Sequence, residues 1–224
     1  MPRKGYQEQL DELREDVLYM SEVVLERHRQ ALSALEDKDG EMGEAVIQGD
    51  GEINRMYLDL ESDCIDLLAL QQPVAGDLRF IAASFKIITD LERIGDLATN
   101  LGGYAMEAER DVFPDVDVQT IGDRTGEMVE DAMAAYAAED AEACFDIAER
   151  DHDVDELCDR ASATVMRDLI EREADADAEE IESLLHEVRR LLLTIRDLER
   201  VGDHAVNVAA RTLYMVENDD ALLY

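Results

Sequence analysis

Apolar residues recur with the period of an α-helix along almost the whole chain. Between Tyr6 and Asp37 they return every third and fourth position, so that one face of the segment is apolar and the opposite face is charged. The positions that define the apolar face are Leu10, Leu13, Val17, Met20, Val24, Ala31 and Ala34. This spacing predicts an amphipathic helix about 45 Å long, at 1.5 Å per residue. The helix should end before Asp39 and Gly40.

The same pattern predicts five further helices, over about residues 41–70, 77–110, 118–138, 140–172 and 179–217. Pro73 and Pro114 lie between helices, as expected because a proline disfavours a helical residue before it. Asp77 is predicted to cap the third helix. The remaining predicted core positions are Val46, Ile53, Met56, Tyr57, Leu60, Cys64, Leu67, Leu78, Ile81, Phe85, Ile88, Leu91, Gly95, Ala98, Met128, Met133, Ile181, Leu184, Val188, Leu191, Ile195, Leu198, Gly202 and Ala205. The predicted fold class is all-α.

The second half of the sequence repeats the first. Asp-Leu-Glu-Arg-Ile-Gly-Asp-Leu-Ala-Thr-Asn at 90–100 returns as Asp-Leu-Glu-Arg-Val-Gly-Asp-His-Ala-Val-Asn at 197–207, with eight of eleven residues identical. Upstream, the segment around Asp50 aligns with the segment around Asp151 at an offset of 101. The sequence therefore predicts two tandem three-helix bundles that arose by internal duplication, over residues 1–112 and 115–224.

The chain is strongly acidic. Asp and Glu number 56 against 21 Lys and Arg, which gives a net charge of -35, yet 46% of the residues are hydrophobic and the chain should fold. Such a surface repels nucleic-acid phosphates and anionic lipid headgroups, so neither is expected as a direct partner. Only three of the cations are lysines. The pattern indicates a halophilic protein, whose self-repulsion is screened by concentrated salt.

The sequence predicts no membrane span, because it contains no apolar run of about 18 residues. It predicts no signal peptide, because no apolar stretch follows the first six residues. We therefore expect a cytoplasmic protein. Cys64, Cys144 and Cys158 are odd in number and form no Cys-x-x-Cys pair. We expect buried thiols at these positions. Neither a disulfide nor a metal site with thiolate ligands is expected.

The duplicated segment carries the candidate chemistry. Oxygen-bearing side chains stand four residues apart, which stacks them on one helical face in each half: Glu92, Asp96 and Asn100 in the first, Glu199, Asp203 and Asn207 in the second. In such an acidic chain this spacing arises often by chance. Its return inside a nearly identical segment is the informative observation.

The second helix of each half offers a matching pair, Asp50 with Asn54 and Asp151 with Asp155. In an antiparallel hairpin these pairs can face the carboxylates of the third helix. Oxygen ligands suit hard or borderline divalent cations, and bare carboxylates about 5 Å apart repel by about 3 kcal/mol at an effective dielectric near 20. The helical period places Glu199 and Asp203 on the flank of the bundle. His204 is a further candidate ligand.

A structural interpretation of the same motif remains open. Arg93 and Arg200 can neutralise the neighbouring carboxylates in ion-pair networks, while Gly95 and Gly202 let another helix approach closely. His28, His152 and His186 are expected at the surface. No nucleophile, general base or phosphate-binding loop stands out, so we do not expect an enzyme.

At these residues the sequence resembles the PhoU family, whose members consist of two tandem three-helix bundles. The resemblance rests on residues 90–96 and 197–203, on Gly49, Asp50 and Asn54, and on Gln-Pro-Val-Ala-Gly-Asp-Leu-Arg at 72–79. It implies multinuclear iron or zinc clusters on the bundle surface, and leaves magnesium and manganese open. The implied ligands are Glu92, Asp96, Asp151, Asp155, Glu199 and Asp203, and Asp50 is added at the matching position of the first half. Asn54, Asn100, Asn207 and His204 are candidates, from their spacing, for further ligands or for hydrogen-bond partners of ligands. Asn54 departs from the acidic form, so the two halves are not expected to bind metal equally.

The resemblance also implies a function. Family members are cytoplasmic regulators that restrain phosphate uptake through the ATPase subunit of the phosphate ABC transporter and, in bacteria, through a sensor histidine kinase. A homodimer is expected. Two alternatives stay open: a metal-free helical scaffold, and a metal-storage bundle. The second would need interior carboxylates and two Glu-x-x-His pairs, of which only Glu149-x-x-His152 is present.

Overall fold

The computed structural model describes residues 3–70, 73–108, 116–173 and 178–223. These residues form six α-helices and no strand: α1 (Arg3–Asp37), α2 (Gly40–Leu70), α3 (Ala75–Glu107), α4 (Val118–Ala138), α5 (Ala141–Glu173) and α6 (Ala178–Glu217). The all-α class and the six predicted helices are confirmed. Gln72, Pro114 and the predicted helix end at Arg110 lie outside the described residues.

Polar side chains fix several helix ends. Lys38 and Glu139 have left-handed backbone conformations, with φ of 52° and 56°. The aspartate that follows each of them caps the next helix: Asp39 Oδ1 accepts hydrogen bonds from the first turn of α2 at 3.0 and 3.1 Å, and Asp140 Oδ1 does the same for α5 at 3.0 and 3.2 Å. The two halves therefore have the same aspartate N-cap at equivalent positions, 101 residues apart.

The predicted cap at Asp77 is wrong. Helix α3 begins two residues earlier, after Val74, whose backbone is extended (φ −73°, ψ 164°) and which makes no side-chain cap. The carbonyl oxygen of Val74 accepts the first helical hydrogen bond from the backbone N–H of Leu78 at 2.9 Å, so the helix is already formed at Asp77. Asp77 lies inside the first turn, where its negative charge interacts favourably with the helix dipole.

The core follows the helical period. Val17 and Val24 of α1, Ile88 of α3 and Leu198 of α6 have no exposed surface, and the three cysteines are buried thiols as predicted. Leu78 is a wrong core prediction, since it is 47% exposed in the first turn of α3. Met56, Tyr57, Phe85 and Ile181 are only partly buried.

Each half is a bundle of three mutually packed helices, and the halves meet through α3 against α6 and α1 against α4. Asn207 donates a hydrogen bond to Asp90 at 3.3 Å, and Asn100 donates one to Asp197 at 3.2 Å. The beginning of each motif therefore lies beside the end of the other, so α3 and α6 run antiparallel. Since each Asp and each Asn has its counterpart 107 residues away, an approximate two-fold axis relates the halves.

The contact between α1 and α4 buries a histidine. His28 is 1% exposed and its Nε2 lies 3.0 Å from the carbonyl oxygen of Gly122, so the expectation of a surface position is wrong for this residue. His28 stands four residues after Val24, on the apolar face of α1, and α4 covers it. His152 and His186 are exposed as predicted. In the described part of the chain, no helix has an apolar stretch that would cross a membrane.

Candidate functional site

Four carboxylates of the second half come together where α5 packs on α6. This second carboxylate face consists of Asp151, Asp155, Glu199 and Asp203. Gly202 makes the packing close, because a Cβ atom there would lie 3.2 Å from Asp151 Oδ1. Helical spacing aligns each pair, and the missing side chain at Gly202 lets α5 bring its pair against α6.

The four carboxylates repel one another. Partial burial raises the pKa of Asp151 to about 6, with the charges of Asp155, Asp203 and Glu199 adding to the shift. Burial, Asp155 and Asp203 likewise raise the pKa of Glu199. Burial and Asp155 raise the pKa of Asp203, while His204 and Arg200 oppose that shift. The face therefore favours a bound proton or cation.

Asp151 also has an unused acceptor. Its Oδ1 atom is buried and has no hydrogen-bond partner. Buried polar atoms are nearly always bonded, so an orphaned carboxylate oxygen indicates a missing donor or cation. Arg200 does not fill this role, because among the described residues it forms no hydrogen bond and no ion pair.

The corresponding first carboxylate face consists of Asp50, Asn54, Glu92 and Asp96. Some of its carboxylate oxygens already accept hydrogen bonds from other groups of the protein. Asn54 donates to Asp50 Oδ2 at 2.6 Å, and Thr99 donates to Asp50 Oδ1 at 3.4 Å. Burial raises the pKa of Glu92, as do the charges of Asp96 and Asp50. Both oxygens of Asp50 are therefore already hydrogen-bonded.

Thr99 was not predicted from the sequence. Its equivalent in the second half is Val206, so comparison of the two halves gives no signal for it. Only its packing against α2 brings its hydroxyl to Asp50.

Arg93 partly neutralises the first face. Its guanidinium lies 3.5 Å from Glu92 and 3.3 Å from Asp96. These are the ion pairs that the structural interpretation of the motif predicts. The Arg93 side chain is 55% exposed, and such pairs contribute roughly 0–1 kcal/mol. They compensate the charge without fixing the geometry of the carboxylates.

Three other candidates lie in the contact between the halves. His204 Nδ1 lies 2.9 Å from Asp90 Oδ1, which also accepts from Asn207. Asn100 donates to the buried Asp197, as does the Tyr104 hydroxyl at 2.9 Å. Asn100, Asn207 and His204 therefore form hydrogen bonds that join the two bundles, and the charge of His204 also acts on Glu92 and Asp203 in the two carboxylate faces.

The described residues contain no three His, Cys, Asp or Glu side chains that are arranged to hold one metal ion. The carboxylates of the second face interact electrostatically from two helices without converging on a point. Their oxygen-only donor set is one that hard or borderline divalent cations accept. Side-chain rotations on α5 and α6 would be needed to complete a shared site.

The chain matches the family model described as "PhoU domain" twice, over residues 17–105 and 118–212. It is 35% identical to a "Phosphate-specific transport system accessory protein PhoU homolog 1" of Methanothermobacter thermautotrophicus, over 96% of this chain and 95% of that protein. It is 34% identical to the PhoU homolog of Pseudomonas aeruginosa, over 95% of this chain and 85% of that one.

Solved structures give the same picture. The crystal structure of PhoU from Pseudomonas aeruginosa superposes with a TM-score of 0.81 at 32% identity, over 96% of this chain and 100% of that chain. The phosphate transport system regulatory protein PhoU from Streptococcus pneumoniae superposes with a TM-score of 0.80 at 27% identity. The superposition covers 96% of this chain and 98% of that chain.

Proposed function

The chain belongs to the PhoU family, and on that premise we propose that it is a metal-binding regulator that restrains phosphate uptake by contact with the phosphate ABC transporter. Its relatives carry the name of accessory proteins of the phosphate-specific transport system. The coarse role, an accessory protein of phosphate transport, follows from the family. Metal binding and contact with the transporter do not follow from family membership alone and need further evidence.

The observation that carries the metal proposal is the buried, unpaired oxygen of Asp151 within a face of mutually repelling carboxylates. Asp151 and Asp155 on α5, with Glu199 and Asp203 on α6, would hold the cation. Iron or zinc is proposed from the family, and magnesium or manganese would also accept these ligands. A bound cation would neutralise the face and tie α5 to α6.

The two halves should differ in affinity. In the first half Asp50, Glu92 and Asp96 would be the ligands, but Asp50 is already hydrogen-bonded to Asn54 and Thr99, and Arg93 lies beside the other two. A cation must displace these partners there. At the second face it meets an unsatisfied oxygen and no ion-paired arginine. We therefore propose the second face as the stronger site.

The proposed partner is the ATPase subunit of the transporter, which this protein would meet in the cytoplasm as a homodimer. A sensor histidine kinase is a further proposed partner in organisms that have one. These assignments rest on the family. The protein is proposed to act by binding, without catalysing a reaction.

Phosphate uptake in a strain that lacks the gene tests this function. Uptake of labelled phosphate in phosphate-rich medium should rise in the deletion strain and fall again when the wild-type gene is restored. The variant with Asp151→Ala and Asp203→Ala should fail to restore the restraint, whereas Asp153→Ala, an exposed acid of the same helix, should restore it. Unchanged uptake in the deletion strain would refute the regulatory role.

A metal-free scaffold is the second candidate. Two observations favour it: Arg93 pairs with both carboxylates of the first motif, and the described residues hold no ready-made set of three ligands. It differs from the main proposal in the metal content of the purified protein. A storage bundle is not proposed, because the second face lies on the flank, with Asp203 exposed.

A further inference from the structure

A cavity of about 660 Å³ lies where the end of α3 meets the first half of α6. Tyr104 and Glu107 line it from α3. The polar side chains that line it from α6 lie along one face of that helix or at the edge of that face: Ser183, His186, Glu187, Arg189 and Arg190. We name this space the α3–α6 cavity. None of its lining residues belongs to either carboxylate face.

The cavity lies where the two halves differ in helix length. Helix α1 has 35 residues, whereas α4 has 21 and begins at Val118, the position equivalent to Val17. In the first half, the additional turns of α1 pack beside the start of α3, and Leu10 and Arg14 line a smaller cavity there, of about 300 Å³. No described helix takes the place of these turns beside α6. The repeat therefore leaves more room at α6 than at α3.

Several hydrogen-bond donors of this cavity have no partner. Arg190 has five N–H donors and, in the described part of the chain, forms one hydrogen bond, from Nη2 to Glu187. The Arg190 side chain is only 13% exposed. Arg189, His186 and Ser183 are exposed and form no hydrogen bond or ion pair with another described residue. Because largely buried polar groups are nearly always hydrogen-bonded, the under-used guanidinium of Arg190 indicates a missing acceptor.

The lining is less negative than the rest of the protein. Over the whole chain, acids outnumber Lys and Arg by 56 to 21, but here Arg189, Arg190 and His186 lie opposite only Glu107 and Glu187. Glu187 forms an ion pair with Arg190 and so restrains the orientation of its guanidinium group. The free N–H groups of an oriented arginine suit an anion that has several oxygens, such as a phosphoryl group.

We propose that the α3–α6 cavity binds the phosphoryl group of a small molecule, either inorganic phosphate or a nucleotide. Arg189, Arg190 and His186 lie within one helical turn, about 6 Å along the axis, and would donate to the phosphoryl oxygens. Ser183, one turn earlier, would donate to a further part of the ligand. The volume is in the range of small-molecule sites, about 300–1,000 Å³, and admits a nucleotide. The inference does not rest on the proposed function, because it requires neither a metal ion nor the transporter.

Equilibrium dialysis of the full chain tests the site directly. The protein is first treated with a chelator, so that no metal ion in the carboxylate faces can hold the phosphate. Labelled inorganic phosphate and labelled ATP are then dialysed separately, at one fixed KCl concentration. We expect saturable binding of at least one of them, with a Kd of about 1 mM or below. Tighter binding of ATP would identify a nucleotide as the ligand, and tighter binding of phosphate would identify the free anion.

Substitutions then locate the site. Arg189→Gln combined with His186→Gln should weaken binding at least about ten-fold, because both side chains would lose charged hydrogen bonds to the ligand. Both are exposed, so this variant should fold. Arg190→Gln should have an effect of similar size, with thermal melting to show that it is folded. Arg167→Gln removes the same charge from an exposed arginine of α5 that does not line the cavity, and should change binding less than about two-fold.

Three results would overturn the inference. One is the absence of saturable binding of both phosphate and ATP up to about 10 mM. Another is unchanged binding in the variant with Arg189→Gln and His186→Gln, which decides the matter even if Arg190→Gln does not fold. The third is displacement of the bound ligand by citrate as effective as by unlabelled phosphate, which would make the cavity a site for carboxylates. None of them bears on phosphate uptake in the deletion strain or on metal content, so failure here is distinct from failure of the proposed function.

Discussion

The buried histidine between the two halves has a defined protonation state. Because the carbonyl oxygen of Gly122 can only accept, the Nε2 atom of His28 carries the proton of the neutral ring and donates it across 3.0 Å. Nδ1 is then left buried without a partner. Protonating Nδ1 would place an unpaired donor and a positive charge in the contact. Burial accordingly lowers the pKa of His28 below its usual value.

This lowered pKa makes the stability of the fold depend on pH. Below about pH 6.5, the usual pKa of histidine, the unfolded chain binds a proton at His28 that the folded protein resists. The free energy of unfolding should therefore fall as the pH is lowered through this range. His28→Gln, whose amide can donate to Gly122, should lose that part of the pH dependence.

Urea unfolding of the wild type and of His28→Gln between pH 5 and 8, at constant high salt, measures the difference. His152→Gln is the control, because that ring is 77% exposed and its replacement should leave the pH profile unchanged. The raised pKa of Asp151 acts in the opposite sense and is common to all three proteins. Identical profiles for wild type and His28→Gln would show that His28 is not held neutral.

Single residues were predictable from the sequence where one helix determines their position. The buried positions Leu10, Val17 and Val24 follow from the helical period alone. The roles of Asn100, Asn207 and His204 did not follow, because their partners lie on the other half of the molecule. Spacing along one helix shows which side chains share a face, but not which helix will cover that face.

At the scale of helices, the contact between α2 and α3 depends on glycine. A Cβ atom at Gly102 would lie 2.8 Å from the carbonyl oxygen of Gly43, and one at Gly43 would lie 2.5 Å from that of Gly102. The two backbones touch here. Gly95 and Gly202, the glycines singled out from the sequence, also admit a neighbouring helix, but they meet the side chains of Ile53 and Asp151.

Gly102→Ala should therefore destabilise the protein by about 2 kcal/mol, because α2 and α3 must separate to admit the methyl group. The next residue gives a matched control. A Cβ atom at Gly103 meets no atom within 4 Å, so Gly103→Ala should raise the free energy of unfolding, by up to about 1 kcal/mol, through better helix propensity. Denaturant unfolding of the two variants compares them. Equal effects would show that the close contact does not constrain the helices.

The existence of the helices could be predicted from the sequence, but the residues at which they begin and end could be predicted only in part. Asp39 and Asp140 act as caps where a left-handed residue ends the preceding helix. Asp77 has the same chemistry but follows no such turn, and α3 starts before it. A capping residue is therefore informative only together with the backbone that leads into it.

At the scale of the whole molecule, the net charge of -35 sets the conditions for stability. Unscreened repulsion among these charges favours the expanded chain, and molar salt shortens the Debye length to about 3 Å. We expect the melting temperature to rise by at least about 5 °C between dilute buffer and molar KCl, which corresponds to roughly 2 kcal/mol for a chain of this size. Scanning calorimetry of the metal-free protein in increasing KCl measures it. A flat profile would contradict the halophilic interpretation.

The duplication was visible in the sequence, but the way the halves pack was not. Identical letters at 90–100 and 197–207 predict two similar bundles and contain no information about their relative orientation. The approximate two-fold arrangement is seen only in the paired contacts of Asp90 with Asn207 and Asp197 with Asn100. The same motif thus has two roles. Its first and last residues join the halves, and its inner carboxylates form the candidate site.

The central claim is that the two carboxylate faces bind metal, and that the second binds it more strongly. Elemental analysis of the purified wild type and of Asp96→Ala, Asp203→Ala and the double variant tests it most directly, with Asp153→Ala as the control. We expect partial loss of metal in each single variant, a larger loss for Asp203→Ala, and complete loss in the double variant. Metal-free Asp203→Ala should be no less stable than metal-free wild type, because the substitution relieves carboxylate repulsion. Wild-type metal content in the double variant, or a wild type that binds no metal at all, would contradict the claim.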